Sequence, residues 1–67
     1  MILCDIGNTT FHFLIGKKHK KYSLKEDIPK FDEKIFFISV NKKATKKLLK
    51  TNPSAINIEN YIDFQTI

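Results

Sequence analysis

The sequence predicts a small α/β protein built on a mixed sheet, and three observations predict it. ILCDI (2–6) and TFHFLI (10–15) are short apolar runs separated by a Gly7-Asn8 pair. Such runs, bounded by glycine, read as strands. IFFISV (35–40) is nearly continuous in its apolar character, the pattern of a strand covered on both faces. KKATKKLLK (42–50) then sets Ala44 and Leu48 four residues apart, with Thr45 and Leu49 beside them. That spacing gives a narrow apolar stripe on a lysine-covered helix.

The remaining elements follow in order. Gly7 and Asn8 both tolerate positive φ, so they suit a tight turn between the first two strands. Gly16-Lys17-Lys18 makes the next turn, and HKKYSL (19–24) reads as a third, polar strand. KEDIPKFDEK (25–34) is charged and interrupted by Pro29, a loop with room for one helical turn. Asn41 is placed to cap the helix, and Asn52-Pro53 ends it, because the residue before proline resists the helical region. AINI (55–58) is a further short strand, and ENYIDFQTI (59–67) carries no clear pattern. The order is β-β-β-(loop)-β-α-β. Its strand–helix–strand crossover implies two parallel strands linked right-handedly. One helix cannot cover both faces of such a sheet, so residues 1–67 read as an incomplete domain, a piece of something larger.

Composition narrows the classes. A chain of 67 residues buries only about 60% of its unfolded surface, and chains of that size commonly depend on a staple or a partner. Cys4 is the single cysteine, so no internal disulfide can form. Its apolar setting marks it as an inert core thiol, and a reducing cytoplasm is the expected location. The opening MILCDIG has no basic region or long apolar stretch of a signal peptide. No apolar run approaches the roughly 18 residues of a membrane span, so no membrane partner is expected.

The net charge is +5, carried by 12 lysines with no arginine. A basic balance fits an anionic partner, a nucleic acid or a phosphorylated small molecule. Arginine supplies the bidentate contacts to guanine and phosphate that lysine does not. Its absence therefore weighs against sequence-specific reading, and nucleic acid is not the expected partner. An A/T-rich coding bias would also raise the lysine count without any binding role.

One carboxylate stands out. Asp5 interrupts the first apolar run two residues before the turn. A structural reading has it accepting hydrogen bonds from the turn amides, as in an Asx turn. A functional reading uses the same geometry differently. Gly7, Asn8, Thr9 and Thr10 would turn successive N–H groups outward, making a nest for an anion such as phosphate. Gly7 would let the phosphate approach the backbone, and Asn8 and Thr9 would add side-chain donors. Asp5 could hold a hydrated Mg²⁺, which needs only one or two carboxylates. The cradle and metal carboxylate of phosphoryl transfer would be present, with no base and no second phosphate clamp.

MILCDIGNTT (1–10) closely resembles the opening of type III pantothenate kinases, whose first strand ends in D-[IV]-G-N-[TS]. KIFFISVN (34–41) resembles the fourth strand of the short epsilon-proteobacterial forms, and AINIENYIDFQTI (55–67) the approach to their next motif. The resemblance spans all 67 residues, but only the DIGNT box is specific. It implies the ribonuclease-H-like fold of the acetate kinase, hexokinase, Hsp70 and actin superfamily. It implies that residues 1–67 are the N-terminal part of a nucleotide-binding domain. Asp5, Ile6, Gly7, Asn8 and Thr9 would then line the ATP phosphates, Asp5 nearest the metal, with Thr10, Phe11 and His12 continuing the nucleotide-side hairpin. The implied activity is ATP-dependent phosphorylation of pantothenate, the first committed step to coenzyme A. Mg²⁺ and a monovalent cation (K⁺ or NH₄⁺) are the implied cofactors, and a homodimer the implied assembly. The family's G-x-D-R motif, which carries the catalytic base, and its D-[AS]-G-[ST]-A-x-T motif are absent from this sequence. No catalytic residue is assigned, and the segment is expected to be inactive alone. Some family members are described as Baf-type accessory transcription factors. That description, or a small basic nucleic-acid-binding module, is the alternative reading.

Other residues read as structural. His12 and His19 have no cysteine or carboxylate at ligand spacing, so no zinc site is expected. KKHKK (17–21) reads as a solvated hairpin tip. Phe11 and Phe13 define a core face, and Phe36 and Phe37 point to opposite faces of their strand. Ser39 needs a backbone partner and has no triad to make it a nucleophile.

Overall fold

The structure is a computed structural model that describes residues 1–61 of the chain. Five strands form one sheet in the order β3-β2-β1-β4-β5. They are β1 (Ile2–Ile6), β2 (Thr10–Ile15), β3 (Lys18–Ser23), β4 (Ile35–Ser39) and β5 (Ile56–Asn57), with helix α1 (Lys42–Thr51) between β4 and β5. β1 pairs antiparallel with β2 and parallel with β4. The expected mixed sheet with its strand–helix–strand crossover is therefore present, and β4 and β5 are parallel neighbours.

The differences are local. β3 begins at Lys18 rather than His19, because the second hairpin closes through Gly16 and Lys17 alone, with Ile15 opposite Lys18. Gly16 adopts φ 62°, the left-handed conformation that a tight two-residue hairpin requires of a glycine. The fifth strand has two residues, and Ile58–Tyr61 turn into a 3-10 helix. Residues 25–34 contain no helical turn; Ile28 is buried and Phe31 half-buried, pinning the loop to the core. The part of the 59–67 segment after Tyr61 lies outside the described residues.

One face of the sheet carries the core. Ile2, Cys4, Ile6, Phe11, Phe13, Ile35 and Phe37 point to it, and Ala44 and Leu48 of α1 pack against it with Ile28. Phe11 and Phe13 lie 6.4 Å apart between ring centroids, and Phe13 meets Tyr22 edge-on at 5.7 Å. The helix starts where the sequence places it. The Asn41 side chain accepts from the Ala44 N–H at 3.1 Å, removing one of the unpaired donors of the first turn. Asn52 closes the other end and is itself buried. Its amide donates to the Pro29 carbonyl at 3.1 Å, and its Oδ1 accepts from the Phe31 N–H at 2.8 Å. Both polar ends of one side chain thus tie the loop to the helix.

The opposite face is bare among the described residues, which corrects the expectation that β4 is covered on both sides. Leu3 and Ile38 are 39% and 37% exposed, and Leu14, Phe36 and Ile56 are half-buried. Among the described residues the apolar run of β4 therefore has one packed face and one open face.

Two outcomes test this packing. Leu48→Ala should destabilise the fold by about 2–5 kcal/mol, read by denaturant unfolding, because the side chain is fully buried. Ile38→Lys should leave stability nearly unchanged and reduce concentration-dependent self-association in light scattering, because it breaks the exposed apolar stripe.

Candidate functional site

β1, β4 and β5 are parallel, so their carboxyl ends lie along one edge of the sheet. Binding sites in open α/β sheets form at that edge. Here the chain leaving β4 enters α1, and the Val40 N–H donates to the Ile6 carbonyl at 3.1 Å, extending the β1–β4 ladder to the rim.

The first cleft, about 470 Å³, lies at this rim between β4, β5 and the start of α1. Ser39, Val40, Asn41, Lys42, Thr45, Lys46, Asn57 and Glu59 line it. Its polar groups are ordered by a local network. Thr45 Oγ1 donates to Ser39 Oγ at 2.7 Å, and Ser39 Oγ accepts from the Asn41 N–H at 3.0 Å. The Ser39 backbone N–H donates to Glu59 Oε1 at 2.6 Å, a charge-assisted bond. The Glu59 N–H in turn donates to Asn57 Oδ1 at 2.9 Å. Ser39 thus finds backbone partners as expected and also a side-chain one in Thr45.

Asp5 and Glu59 line a second, smaller cleft of about 260 Å³ with Ile38, Ser39 and Val40. The Asp5 side chain is on the open face and exposed, while its neighbours Cys4 and Ile6 are buried on the other. It accepts no hydrogen bond from the turn amides among the described residues, so the Asx-turn reading fails.

The turn itself departs from expectation. Neither Gly7 nor Asn8 has positive φ, so the αR–αL geometry of a nest is not formed. The Gly7 N–H donates to the Thr10 carbonyl at 3.0 Å. The N–H groups of Asn8 and Thr9 have no protein acceptor among the described residues, and both residues are exposed. The Thr9 carbonyl accepts from the Leu24 N–H at 3.2 Å. Asn8 and Thr9 open, with Ser23, Leu24 and Lys25, into a third cleft of about 280 Å³. Asp5 and the turn donors therefore sit at one end of β1 but border different clefts.

Two predicted contact residues are placed elsewhere. Ile6 and Phe11 are fully buried on the core face, since both occupy inward positions of the strand alternation. Their side chains support the turn from beneath. Thr10 and His12 are half-buried, and His12 lies opposite Asp5 across β1 and β2. Sequence reasoning missed Glu59, Asn57 and Thr45, which meet only after the crossover folds. The available signal was Asn57 and Glu59 at the end of a strand-like run.

Cys4, beside Asp5, is buried, and its thiol is pushed up from the usual 9.0 to about 12 by burial first and the Asp5 charge second. Cys4 is a buried core thiol, as expected, and burial with a raised pKa disfavours the reactive thiolate.

This is an α/β segment with a polar rim at the carboxyl edge of its parallel strands. Its relatives are type III pantothenate kinases, and the resemblance drawn from the DIGNT box holds across the chain. It is 42% identical to the enzyme of Helicobacter hepaticus over 98% of this chain and 32% of that protein. With the Campylobacter jejuni RM1221 enzyme the figures are 41%, 100% and 32%. A crystal structure described as a conserved putative Baf family transcriptional activator from Campylobacter jejuni superposes with TM-score 0.67 at 35% identity, covering 96% of this chain and 31% of that one. No family model matches the chain. The chain spans about a third of the length of the curated relatives it matches.

Two measurements probe the site's construction. Thiol reagents should leave Cys4 unmodified in the native protein and label it in denaturant. Because the folded thiol titrates near 12 and the unfolded one near 9.0, its contribution to stability is full below pH 9. It is lost as the pH rises toward 12, where the unfolded thiolate is favoured. Thr45→Val should weaken the fold by about 1–3 kcal/mol in thermal unfolding, since Ser39 loses a partner.

Proposed function

We propose that this chain is the ATP-phosphate-binding, N-terminal segment of a type III pantothenate kinase, with the ribonuclease-H-like fold. The observation that carries the reading is Asp5: an exposed carboxylate at the carboxyl end of the central strand, uncommitted among the described residues. It stands two residues before a turn whose Asn8 and Thr9 N–H groups have no protein acceptor. Relatedness to type III pantothenate kinases supports it, as does a mixed sheet with antiparallel hairpins on one flank and a parallel crossover on the other.

In this reading the N–H groups of Asn8 and Thr9 meet the phosphate oxygens, and their side chains add donors. Asp5 holds a hydrated Mg²⁺ that offsets phosphate charge. Thr10 and His12 flank the nucleotide, and Lys25, beside the turn, adds a positive charge. The donor set fits the metal: a hard cation takes oxygen ligands and retains its waters. Gly7 matters for the ligand rather than for the fold. A Cβ there would meet only the Thr10 carbonyl, at 3.8 Å, and φ is not positive. The whole enzyme would phosphorylate pantothenate as a cytoplasmic homodimer with K⁺ or NH₄⁺. Residues 1–67 supply the phosphate-binding part of this reading and carry no G-x-D-R motif.

The solved neighbour's description as a putative transcriptional activator favours a second reading, a nucleic-acid-binding module using its exposed lysines. That reading requires affinity for DNA or RNA with a steep salt dependence.

Calorimetric titration with Mg²⁺·ATP decides between them. The expected result is saturable binding that Asp5→Ala abolishes. Gly7→Ala should weaken it while leaving thermal stability within about 1 kcal/mol of the parent. Binding indifferent to Asp5→Ala, or none at millimolar ATP, overturns the kinase reading.

A further inference from the structure

We propose that His12 and His19 form a two-imidazole site for a borderline divalent transition metal of the Cu²⁺ or Ni²⁺ class, clipping β2 to β3 on the open face of the sheet. His12 Nε2 and His19 Nδ1 lie 2.9 Å apart, and the rings are 5.0 Å between centroids at 43°. The two come from opposite strands of the second hairpin. His12 stands opposite Lys21 and His19 opposite Leu14, so the imidazoles are diagonal neighbours on one face. β2 is held on both sides, by β1 and by β3, which fixes the backbone beneath the pair. His19 is exposed and His12 half-buried, so an ion reaches them from solvent.

The separation suits a chelate. Two nitrogens bound at about 2.0–2.1 Å and a right angle stand about 2.9 Å apart, and at a tetrahedral angle about 3.3 Å. The square-planar preference of Cu²⁺ and Ni²⁺ therefore matches the present separation most closely, and binding turns each ring so that its facing nitrogen leaves the line to its partner and aims at a common point, a rotation its soft second torsion allows. Without metal, one facing nitrogen donates its proton to the other. On binding, the donor ring moves that proton to its far nitrogen, and both facing lone pairs turn to the metal. A neutral pair releases no net proton.

No set of three His, Cys, Asp or Glu suited to a metal exists among the described residues, so water fills the other positions and the ion exchanges. Asp5, opposite His12 on β1, attracts the dication, and Lys21 on β3 repels it. Imidazole selects these metals over Mg²⁺, which prefers oxygen. The inference does not require the ATP reading, although His12 belongs to both, and the titration without nucleotide keeps the two apart.

The test is titration of the full chain with Ni²⁺ in the absence of nucleotide, by calorimetry and by thermal unfolding. One equivalent should bind and raise the unfolding midpoint. His19→Gln and His12→Gln should each weaken binding by at least about tenfold and remove the midpoint shift, with circular dichroism confirming the fold of each. Excess Mg²⁺ should leave Ni²⁺ binding unchanged. Ni²⁺ affinity unaltered in both variants, displacement by Mg²⁺ (which would assign the ion to Asp5), or no binding at millimolar Ni²⁺ overturns the proposal.

Discussion

Everything in this structure depends on the register of β1, the central strand. It pairs with β2 from Ile2↔Ile15 to Ile6↔Phe11 and with β4 from Ile2↔Ile35 to Ile6↔Ser39. A slip of one residue against either neighbour would exchange the two faces. Ile2, Cys4 and Ile6 are held in the core by this pairing, and the same alternation places Asp5 outside. The aspartate in the middle of this apolar strand stands on the face that is open among the described residues, where its carboxylate remains in water. Had the open face been packed, the carboxylate would need a buried partner or would lose its charge.

The same pairing explains why polar chemistry gathers at one edge. β1 and β4 run in the same direction and end together, and the chain leaving β4 enters the helix capped by Asn41. Ser39, Asn41, Thr45, Asn57 and Glu59 satisfy one another there through a compact network. This network commits Glu59 to a backbone N–H while Asp5 accepts nothing from the turn. Two carboxylates that border one cleft thereby differ: Glu59 accepts from a backbone N–H, and the Asp5 carboxylate has no hydrogen-bond partner among the described residues.

The open face is the least packed part of the described structure. It presents Leu3, Leu14, Phe36, Ile38 and Ile56 beside Asp5, His12 and His19. A 67-residue chain has too little apolar surface to build a second layer from its own elements. The relatives it matches are about three times as long.

Much of the fold was legible in the residues. The strand alternation of 2–6 and 10–15, the Ala44–Leu48 spacing, the Asn41 cap and the Asn52-Pro53 stop each act over a few neighbouring residues. Elements governed by such local rules appear within a residue or so of their expected bounds. The continuous apolar run of β4 records how apolar the strand is, not what lies against it, and among the described residues one of its faces is open. The DIGNT stretch located an exposed carboxylate and a turn. It could not reveal that the turn forms without positive φ, or that Ile6 and Phe11 are buried supports. Sequence alone determined the elements, the core face and the position of Asp5, since period and capping are short-range. Only the tertiary structure brought Glu59 to Ser39, tied Asn52 to the loop and set His12 against His19. Those contacts join residues distant along the chain, and strand register and the crossover, not local preference, decide which of them meet.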